Sequence, residues 1–160
     1  MKINDLLVET TPNDDEVIKS DWGLINTVNK THKRMPEYEH LIEDPRTLQR
    51  YCEAISLDPN KEGLQKFEKL AILDPDSAAS YAIHVLKHRW PRAESVIFMD
   101  PMAAYDYVDA LIQDRYEPAE PAIAQDNPDP EQHPSVSYAE NYLGFNPIPY
   151  VDRDWSEQYR

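Results

Sequence analysis

Apolar residues recur at helical spacing in two stretches of this chain. The first stripe contains five residues, Ala78, Tyr81, Ala82, Val85 and Leu86. The second stripe repeats the spacing 26 residues later, at Ala104, Tyr107, Val108, Leu111 and Ile112. A spacing of i, i+3, i+4, i+7 and i+8 is typical of one apolar face on an amphipathic helix. The pattern therefore predicts two equivalent helices, and strand signals are absent.

Aspartate and proline predict where these helices begin and end. Asp74-Pro75 and Asp100-Pro101 suit the N-cap and the first helical position. The aspartate side chain accepts a hydrogen bond from a backbone N–H of the first turn. Proline has no backbone N–H, but at the first helical position that group would have no partner within the helix. Pro91 then breaks the first helix and starts a shorter second one. Each stripe is therefore expected to belong to a pair of helices.

Residues 74–99 and 100–125 are copies of one unit, with eight of the 26 aligned columns identical. The columns that define the repeat pair Tyr81 with Tyr107, Arg89 with Arg115, Trp90 with Tyr116, and Glu94 with Glu120. Residues 19–43 and 44–73 are interpreted as two more units, and Gly63 replaces the arginine in the second of these. A unit this small cannot bury its apolar face alone. We therefore predict an all-α array of short helical hairpins, about 26 residues each, stacked as a small α-solenoid.

Proline content divides the chain into three parts. Half of the fourteen prolines lie between Pro118 and Pro149, and such a segment is typical of an extended linker. We predict a leader and spacer over 1–18, a helical repeat domain over 19–125, and a Pro-rich, acidic and aromatic tail over 126–160.

The tail carries aromatic residues at a density unusual for a disordered segment. Four of them are predicted to be available for docking on a partner, Tyr142, Phe145, Tyr150 and Trp155. A short helix is expected over 135–143, ended by Gly144. The tail either folds back to cap the last unit, as solenoids require, or becomes ordered on a partner protein. Capping is favoured, because an exposed apolar face is a liability in a free protein.

Arg89 and Glu94 recur at the same spacing as Arg115 and Glu120, and this pattern has two interpretations. The residues are either acid–base pairs or structural pairs, in which each arginine caps helix carbonyls or binds a glutamate of its own or the next unit. A catalytic site is needed once, whereas a packing device is needed at every joint. Repetition therefore favours the structural interpretation.

The other residues that could suggest chemistry are also interpreted as structural. Trp90 and Tyr116 are expected to be wedges in the core or between units. His84 and His88 lie at i and i+4, a spacing that can present two imidazoles to zinc, but no third ligand is near in sequence. Cys52 falls on an apolar face and is predicted to lie in the core. We predict no catalytic residue, no cofactor and no metal site.

Charge narrows the classes of partner. Thirty acidic and sixteen basic residues give a formal net charge of −14. This field repels phosphate backbones and anionic lipid, so neither nucleic-acid nor membrane binding is expected, and basic partners are favoured. One cysteine excludes an intramolecular disulfide, and no stretch approaches the length of an apolar membrane span. The N-terminus lacks the apolar run of a secretory signal, which predicts a reducing cytoplasm.

The unit pattern, Asp-Pro, Ala-x-x-Tyr, Arg-Trp-Pro-x-Ala-Glu and Ile, resembles tandem repeats in uncharacterised proteins of large tailed bacteriophages. The resemblance covers residues 34–125 and implies no activity. The N-terminal MKINDLLVE is similar to the leader of head-packaged internal proteins of contractile-tailed coliphages, where a phage protease cuts after a Leu/Ile-x-Glu triplet. This second resemblance implies processing after Glu9, leaving Thr10 as the new N-terminus. The implied location is the host cytoplasm or the phage virion.

Three functions are weighed on this basis. The preferred one is a non-enzymatic protein-interaction module of a tailed phage, virion-associated or host-interacting, which holds a phage or host protein. An alternative is an acidic DNA mimic that inhibits a host nucleic-acid-binding protein, which requires carboxylates in two rows spaced like phosphates. The last is a small metal-dependent enzyme, for which the evidence is only His84, His88 and abundant carboxylates. Acids at helix caps and outer faces are adequately explained as a solvated surface, so the first is preferred.

Overall fold

The computed structural model describes residues 18–125 and 134–144. Across these two ranges all regular structure is helical and no strand is present, so the prediction of an all-α fold is confirmed. The predicted processing site at Glu9 lies outside the described residues. Three predicted docking residues, Phe145, Tyr150 and Trp155, also lie outside them. In the part of the chain that is described, no helix is long and apolar enough to cross a membrane.

Longer helices alternate with shorter ones. The longer helices are α1 (Asp21–Thr31), α2 (Pro45–Ala54), α4 (Pro75–Tyr81), α6 (Pro101–Tyr107) and α8 (Pro134–Tyr138). The shorter helices are α3 (Glu68–Ala71), α5 (Glu94–Ile97) and α7 (Glu120–Ile123). Each shorter helix follows a 3-10 turn, at Leu64–Phe67, Pro91–Ala93 and Glu117–Ala119, and another 3-10 helix spans Pro36–Leu41. The boundaries follow the predicted units, with one longer and one shorter element in each.

Aspartate caps explain where three of the longer helices begin. The side chains of Asp44, Asp74 and Asp100 accept hydrogen bonds from backbone N–H groups of the first helical turn, at 2.8–3.0 Å. The following proline occupies the first helical position in each case. Ser20 has the same capping role for α1. The caps predicted at Asp74 and Asp100 are therefore confirmed.

Three of the longer helices end in π-helical turns, which the apolar spacing does not predict. These turns span Ala82–Leu86, Val108–Ile112 and Ala139–Leu143. After the first two, Lys87 and Gln113 adopt left-handed backbone with φ 55°, and their N–H groups donate at 2.8 Å to the carbonyl five residues earlier. This conformation costs a non-glycine residue about 1–2 kcal/mol. The strain occurs at the same position in two units, where the chain turns toward its shorter helix.

Consecutive longer helices pack side by side and bury one tyrosine each. Helices α2, α4 and α6 contact one another in chain order, and each also contacts the shorter helix of its own unit. Tyr51, Tyr81, Tyr107 and Tyr138 occupy equivalent positions, and all four are fully buried. The apolar stripes therefore face a shared core that continues from α1 to α8 in two adjoining clusters.

Helix α8 covers the last unit. The helix expected over 135–143 is present from Pro134 to Leu143 and is followed by Gly144, whose φ of 73° lies in the left-handed region that glycine adopts readily. Tyr138 is fully buried in a cluster with residues of α6 and α7, including Ile123, and Ala139 is also fully buried. The described part of the predicted tail thus packs on the repeat units.

Among the described residues, one buried hydroxyl, that of Ser77, lacks a hydrogen bond, and this makes a testable prediction. The Ser77 side chain is fully buried, and its Oγ has no hydrogen-bond partner among the described residues. Ala103 occupies the equivalent position in the next unit and is also buried. Replacing Ser77 by alanine is expected to raise the free energy of unfolding by about 1 kcal/mol, because the buried hydroxyl forgoes its hydration. Urea denaturation of the purified protein measures the change.

Thr47 is the matched control, since it occupies the same position in the preceding unit. Its Oγ1 donates to Asp21 Oδ2 at 3.2 Å. Thr47→Val keeps the shape of the side chain and removes this bond. The Thr47→Val protein should therefore be less stable than the parent, whereas the Ser77→Ala protein should be more stable. A Ser77→Ala protein less stable than the parent would show that the hydroxyl is satisfied in solution.

Candidate functional site

The recurring arginine and glutamate form a two-bond ion pair within each unit. Arg89 Nε donates to Glu94 Oε1 at 2.6 Å, and Arg89 Nη2 donates to Glu94 Oε2 at 3.0 Å. Arg115 makes the same two bonds to Glu120, at 2.7 and 3.3 Å. Such fork-shaped pairing fixes both side chains geometrically. Each arginine therefore binds the glutamate of its own unit, across the turn between the longer and the shorter helix.

A tyrosine from the next longer helix completes each pair. Tyr107 Oη donates to Glu94 Oε1 at 3.1 Å and accepts a hydrogen bond from the Trp90 backbone N–H at 2.6 Å. Tyr138 Oη likewise donates to Glu120 Oε1 at 3.3 Å. We call the set of arginine, glutamate and following tyrosine a joint. Each joint ties one unit to the next through a buried hydroxyl.

The first unit has a joint of the same form. Arg34 binds both carboxylate oxygens of Glu39, and Tyr51 Oη donates to Glu39 Oε1 at 2.8 Å. Lys66 Nζ adds a fourth group, 2.7 Å from Glu39 Oε2. Glu39 is only 1 % exposed. Arg34 and Glu39 have the same five-residue separation as Arg89 and Glu94, but the sequence pattern does not predict the tyrosine hydroxyl as the third member.

The unit at 44–73 replaces its joint with a backbone bond. Gly63 stands in the arginine column, and Tyr81 Oη donates to the Leu64 carbonyl oxygen at 3.0 Å instead of to a carboxylate. Glu68, in the glutamate column, pairs with Arg92 of the following unit. Gly63 has φ 77°, which a residue with a side chain adopts only at a cost. Where the arginine is lost, the glutamate (Glu68) and the following tyrosine (Tyr81) therefore each bind a different partner.

Hydrogen bonding keeps the joint carboxylates ionised. Burial alone would raise the pKa of Glu94, but hydrogen bonds from Arg89, Tyr116 and Tyr107 outweigh it and lower the pKa below its usual value. Burial raises the pKa of Tyr107 above its usual value and that of Tyr138 to about 12. At neutral pH the glutamate therefore accepts and the tyrosine donates. These are the protonation states that a fixed hydrogen-bond anchor requires.

The aromatic residues after the arginines contact neighbouring units. Trp90 is buried, with its ring centroid 5.3 Å from that of Tyr81. Tyr116 Oη donates to Glu94 Oε2 at 2.9 Å, and the Arg89 guanidinium lies 4.8 Å from the Tyr116 ring centroid. The Tyr116 side chain therefore links its own unit to the preceding one. The Trp90 ring packs on a tyrosine of its own unit, and its backbone N–H bonds to Tyr107 of the next one.

The residues considered for metal or nucleophilic chemistry are not brought together. No group of three or more histidine, cysteine, aspartate or glutamate side chains suited to a metal ion occurs within residues 18–125 and 134–144. His88 Nδ1 lies 2.8 Å from the Arg89 carbonyl oxygen, and burial lowers the pKa of His84. Cys52 is buried, and burial raises its pKa, which disfavours the thiolate.

Tyr142 makes intramolecular contacts in the structure. Its Oη donates to Asp109 Oδ1 at 2.7 Å, and its ring centroid lies 5.3 Å from that of Tyr138. Tyr142 therefore connects α8 to the π-helical turn after α6. The structure places this predicted docking residue at the junction between the tail helix and the last unit.

Exposed apolar side chains mark one edge of the helices. Leu73 and Met99 precede the capping aspartates of α4 and α6, at equivalent positions, and each is 70 % exposed. Met102, in the first turn of α6, is 44 % exposed. Asp76 interacts electrostatically with Asp100, so the N-terminal ends of α4 and α6 lie beside each other. The apolar periodicity of the sequence did not reveal this edge, since its residues lie outside the stripes.

Comparisons with models of protein families, with curated proteins and with solved structures find no match. Function is therefore inferred from this chain's own surface. The joints are internal, whereas the edge at the start of α4 and α6 presents apolar groups to solvent. That edge is the best candidate for a functional site.

Proposed function

We propose that this protein is a non-enzymatic protein-interaction module, a small α-solenoid that holds a protein partner at the edge where α4 and α6 begin. The observation that carries the proposal is the equal, 70 % exposure of Leu73 and Met99 at equivalent junctions. A repeat array stacks equivalent positions into one continuous surface, and solenoids use such surfaces for binding. Contiguous exposed apolar groups are typical of interaction sites.

The state of the polar groups supports a binding function over catalysis. The carboxylate of Glu94 accepts four hydrogen bonds, two on each oxygen, from Arg89, Tyr107 and Tyr116. A carboxylate surrounded in this way has its lone pairs occupied, and it serves as an anchor between helices. The same arrangement at Glu39 and Glu120 favours a framework whose purpose is to hold the outer surface in place.

The repeat pattern assigns the module to a tailed bacteriophage in this proposal. The resemblance of residues 34–125 to phage tandem repeats supports that owner, and the N-terminal nonapeptide favours packaging in the head. Mass spectrometry of purified virions tests both parts. A chain that begins at Thr10 would support packaging, whereas absence of the protein from virions would leave a host-interacting protein in the cytoplasm.

Substitution at the edge tests the binding function directly. The full chain, immobilised, is expected to capture a partner from infected host lysate, and Leu73→Gln with Met99→Gln should reduce the amount captured by about tenfold. Leu57→Gln is the matched control, since Leu57 is 74 % exposed but lies in the loop after α2, away from the edge. Equal capture by all three proteins would contradict a partner site at this edge.

A DNA-mimic function is the second candidate, and one observation favours it. Asp76, Asp100 and Asp106 lie close enough together to repel one another. Capture of a host nucleic-acid enzyme in a salt-sensitive way, undiminished by Leu73→Gln and Met99→Gln, would support this alternative over the apolar edge.

A further inference from the structure

The edge is acidic as well as apolar. Asp76 lies in the first turn of α4, and its carboxylate interacts with those of Asp100, Asp74 and Glu53. Asp106 of α6 interacts in turn with Asp109, Asp76 and Asp100. The exposed Leu73 and Met99 directly precede the capping aspartates Asp74 and Asp100, Asp76 follows in the first turn of α4, and Asp106 lies further along α6.

These charges are poorly compensated within the molecule. Neither Asp76 nor Asp106 forms an ion pair with any residue of 18–125 or 134–144. Partial burial raises the pKa of both carboxyls, and the neighbouring negative charges raise it further. Arg46 acts against this effect at Asp76. The aspartate carboxylates repel one another, and a positively charged group of a partner protein would relieve this repulsion.

Many of the protein's own basic groups are used elsewhere. Arg34, Arg89 and Arg115 are held by glutamates in the joints. Three more line a depression of about 470 Å³ on the surface of the shorter helices, Lys66, Lys69 and Arg92. These six cations therefore lie in the joints and on the shorter helices, away from the start of α4 and α6.

We propose that the edge formed by Leu73, Asp76, Met99, Met102 and Asp106 binds a cationic amphipathic segment of a partner protein. This inference rests on the proposed interaction function and names the chemistry of the partner. Leucine, methionine or aromatic side chains of the segment cover Leu73, Met99 and Met102, while its lysines and arginines lie on Asp76 and Asp106. Charge complementarity selects this occupant.

Charge also argues against the other occupants. A second copy would bring an identical row of aspartates against the first, which is repulsive at short range. Nucleic acid and anionic lipid present phosphates, which the same carboxylates repel. A basic segment without apolar residues would leave Leu73 and Met99 in water and so lose the contribution of their burial.

Synthetic peptides test the proposal with the full chain. Three 18-residue amphipathic peptides serve as probes, one with leucine and lysine faces, one with glutamate replacing every lysine, and one with serine replacing every leucine. The leucine–lysine peptide is expected to bind, and each of the other two should bind at least about tenfold more weakly in calorimetry. Equal binding of the leucine–lysine and serine–lysine peptides would reduce the edge to a non-specific anionic surface and overturn the proposal.

Matched variants locate the binding on the edge. Asp76→Asn with Asp106→Asn removes two charges and relieves repulsion, so the protein should fold, and its affinity for the leucine–lysine peptide should fall about fivefold. Glu37→Gln with Glu62→Gln removes the same charge outside α4 and α6, where both side chains are exposed, and should leave the affinity within about twofold. An equal loss in both double variants would overturn the assignment.

The two proposals can fail separately. If Leu73→Gln with Met99→Gln abolishes capture of the natural partner while the aspartate variants and the peptides show no effect, the cationic chemistry is wrong and the interaction function stands. If the substitutions at the leucine and methionine have no effect either, the edge is not the partner site and both proposals are wrong.

Discussion

Replacing Glu39 by glutamine is expected to lower the free energy of unfolding by about 3 kcal/mol. The Glu39 carboxylate is fully buried, and the Arg34 side chain that it neutralises is only 6 % exposed. Glutamine keeps the shape and removes the charge, so Arg34 becomes a buried cation without a counter-ion. Tyr51 Oη contacts Glu39 Oε1 and Lys66 Nζ contacts Oε2, so the one amide oxygen of glutamine leaves one of the two groups without its acceptor.

Urea denaturation measures this loss, and a neighbouring glutamate provides the control. Glu37 is exposed on the same 3-10 helix, so Glu37→Gln should change the free energy of unfolding by less than about 0.5 kcal/mol. Equal effects of the two substitutions would show that the joint does not stabilise the fold. Glu94→Gln should have an intermediate effect, because Arg89 is 48 % exposed and can be rehydrated.

The pH profile gives an independent readout of the same joint. Burial raises the pKa of Glu39, but hydrogen bonds from Arg34, Lys66 and Tyr51 more than offset it, so its pKa in the folded protein lies below the ordinary value. The resulting stabilisation is present above the pKa of the unfolded chain, about 4.3. It is lost as the pH falls through the lower folded-state pKa. Glu39→Gln should therefore flatten the acid limb of the stability profile.

Replacing Tyr107 by alanine is expected to cost about 4 kcal/mol of stability. Tyr107 is fully buried, and its ring centroid lies 6.2 Å from that of Phe98 in an edge-to-face arrangement. Its hydroxyl connects Glu94 and the Trp90 backbone N–H. Alanine removes the ring from the core and the hydroxyl from the joint, and so separates two units.

Tyr107→Phe distinguishes the two contributions. Phenylalanine keeps the ring and should cost only about 1–2 kcal/mol, the effect of leaving the buried partners of one hydroxyl unsatisfied. Calorimetric and chemical denaturation of both variants measure the difference. If phenylalanine costs as much as alanine, the hydrogen bonds dominate the joint; if alanine costs less than about 1 kcal/mol, Tyr107 is not part of the core.

These two effects concern the framework and leave the proposed binding edge intact. The glutamates and tyrosines of the joints are buried between units, whereas Leu73 and Met99 are exposed where α4 and α6 begin. Substitutions at the edge should therefore alter binding with little loss of stability. That separation allows function to be tested in folded proteins.

The helical nature of the fold and the starts of α4 and α6 could be predicted from the sequence. Apolar spacing around Tyr81 and Tyr107 specifies helices locally, since a 3.6-residue period places these side chains on one face. Asp74-Pro75 and Asp100-Pro101 specify helix starts through bonds within a single turn. Such features depend on neighbours in the chain, so no tertiary information is needed to infer them.

The partners of the polar groups required the tertiary structure. The hydroxyls of Tyr107 and Tyr138 reach glutamates of the preceding unit, and that pairing depends on how adjacent helices are placed. The π-helical turns before Lys87 and Gln113 arise where packing overrides the local spacing.

The sequence alone thus determined where helices form and which residues repeat, because those properties depend on local periodicity and capping. The structure decided which repeated residues are buried in joints and which form the exposed edge at Leu73 and Met99. Both outcomes depend on distances between segments far apart in the chain, which no local pattern specifies.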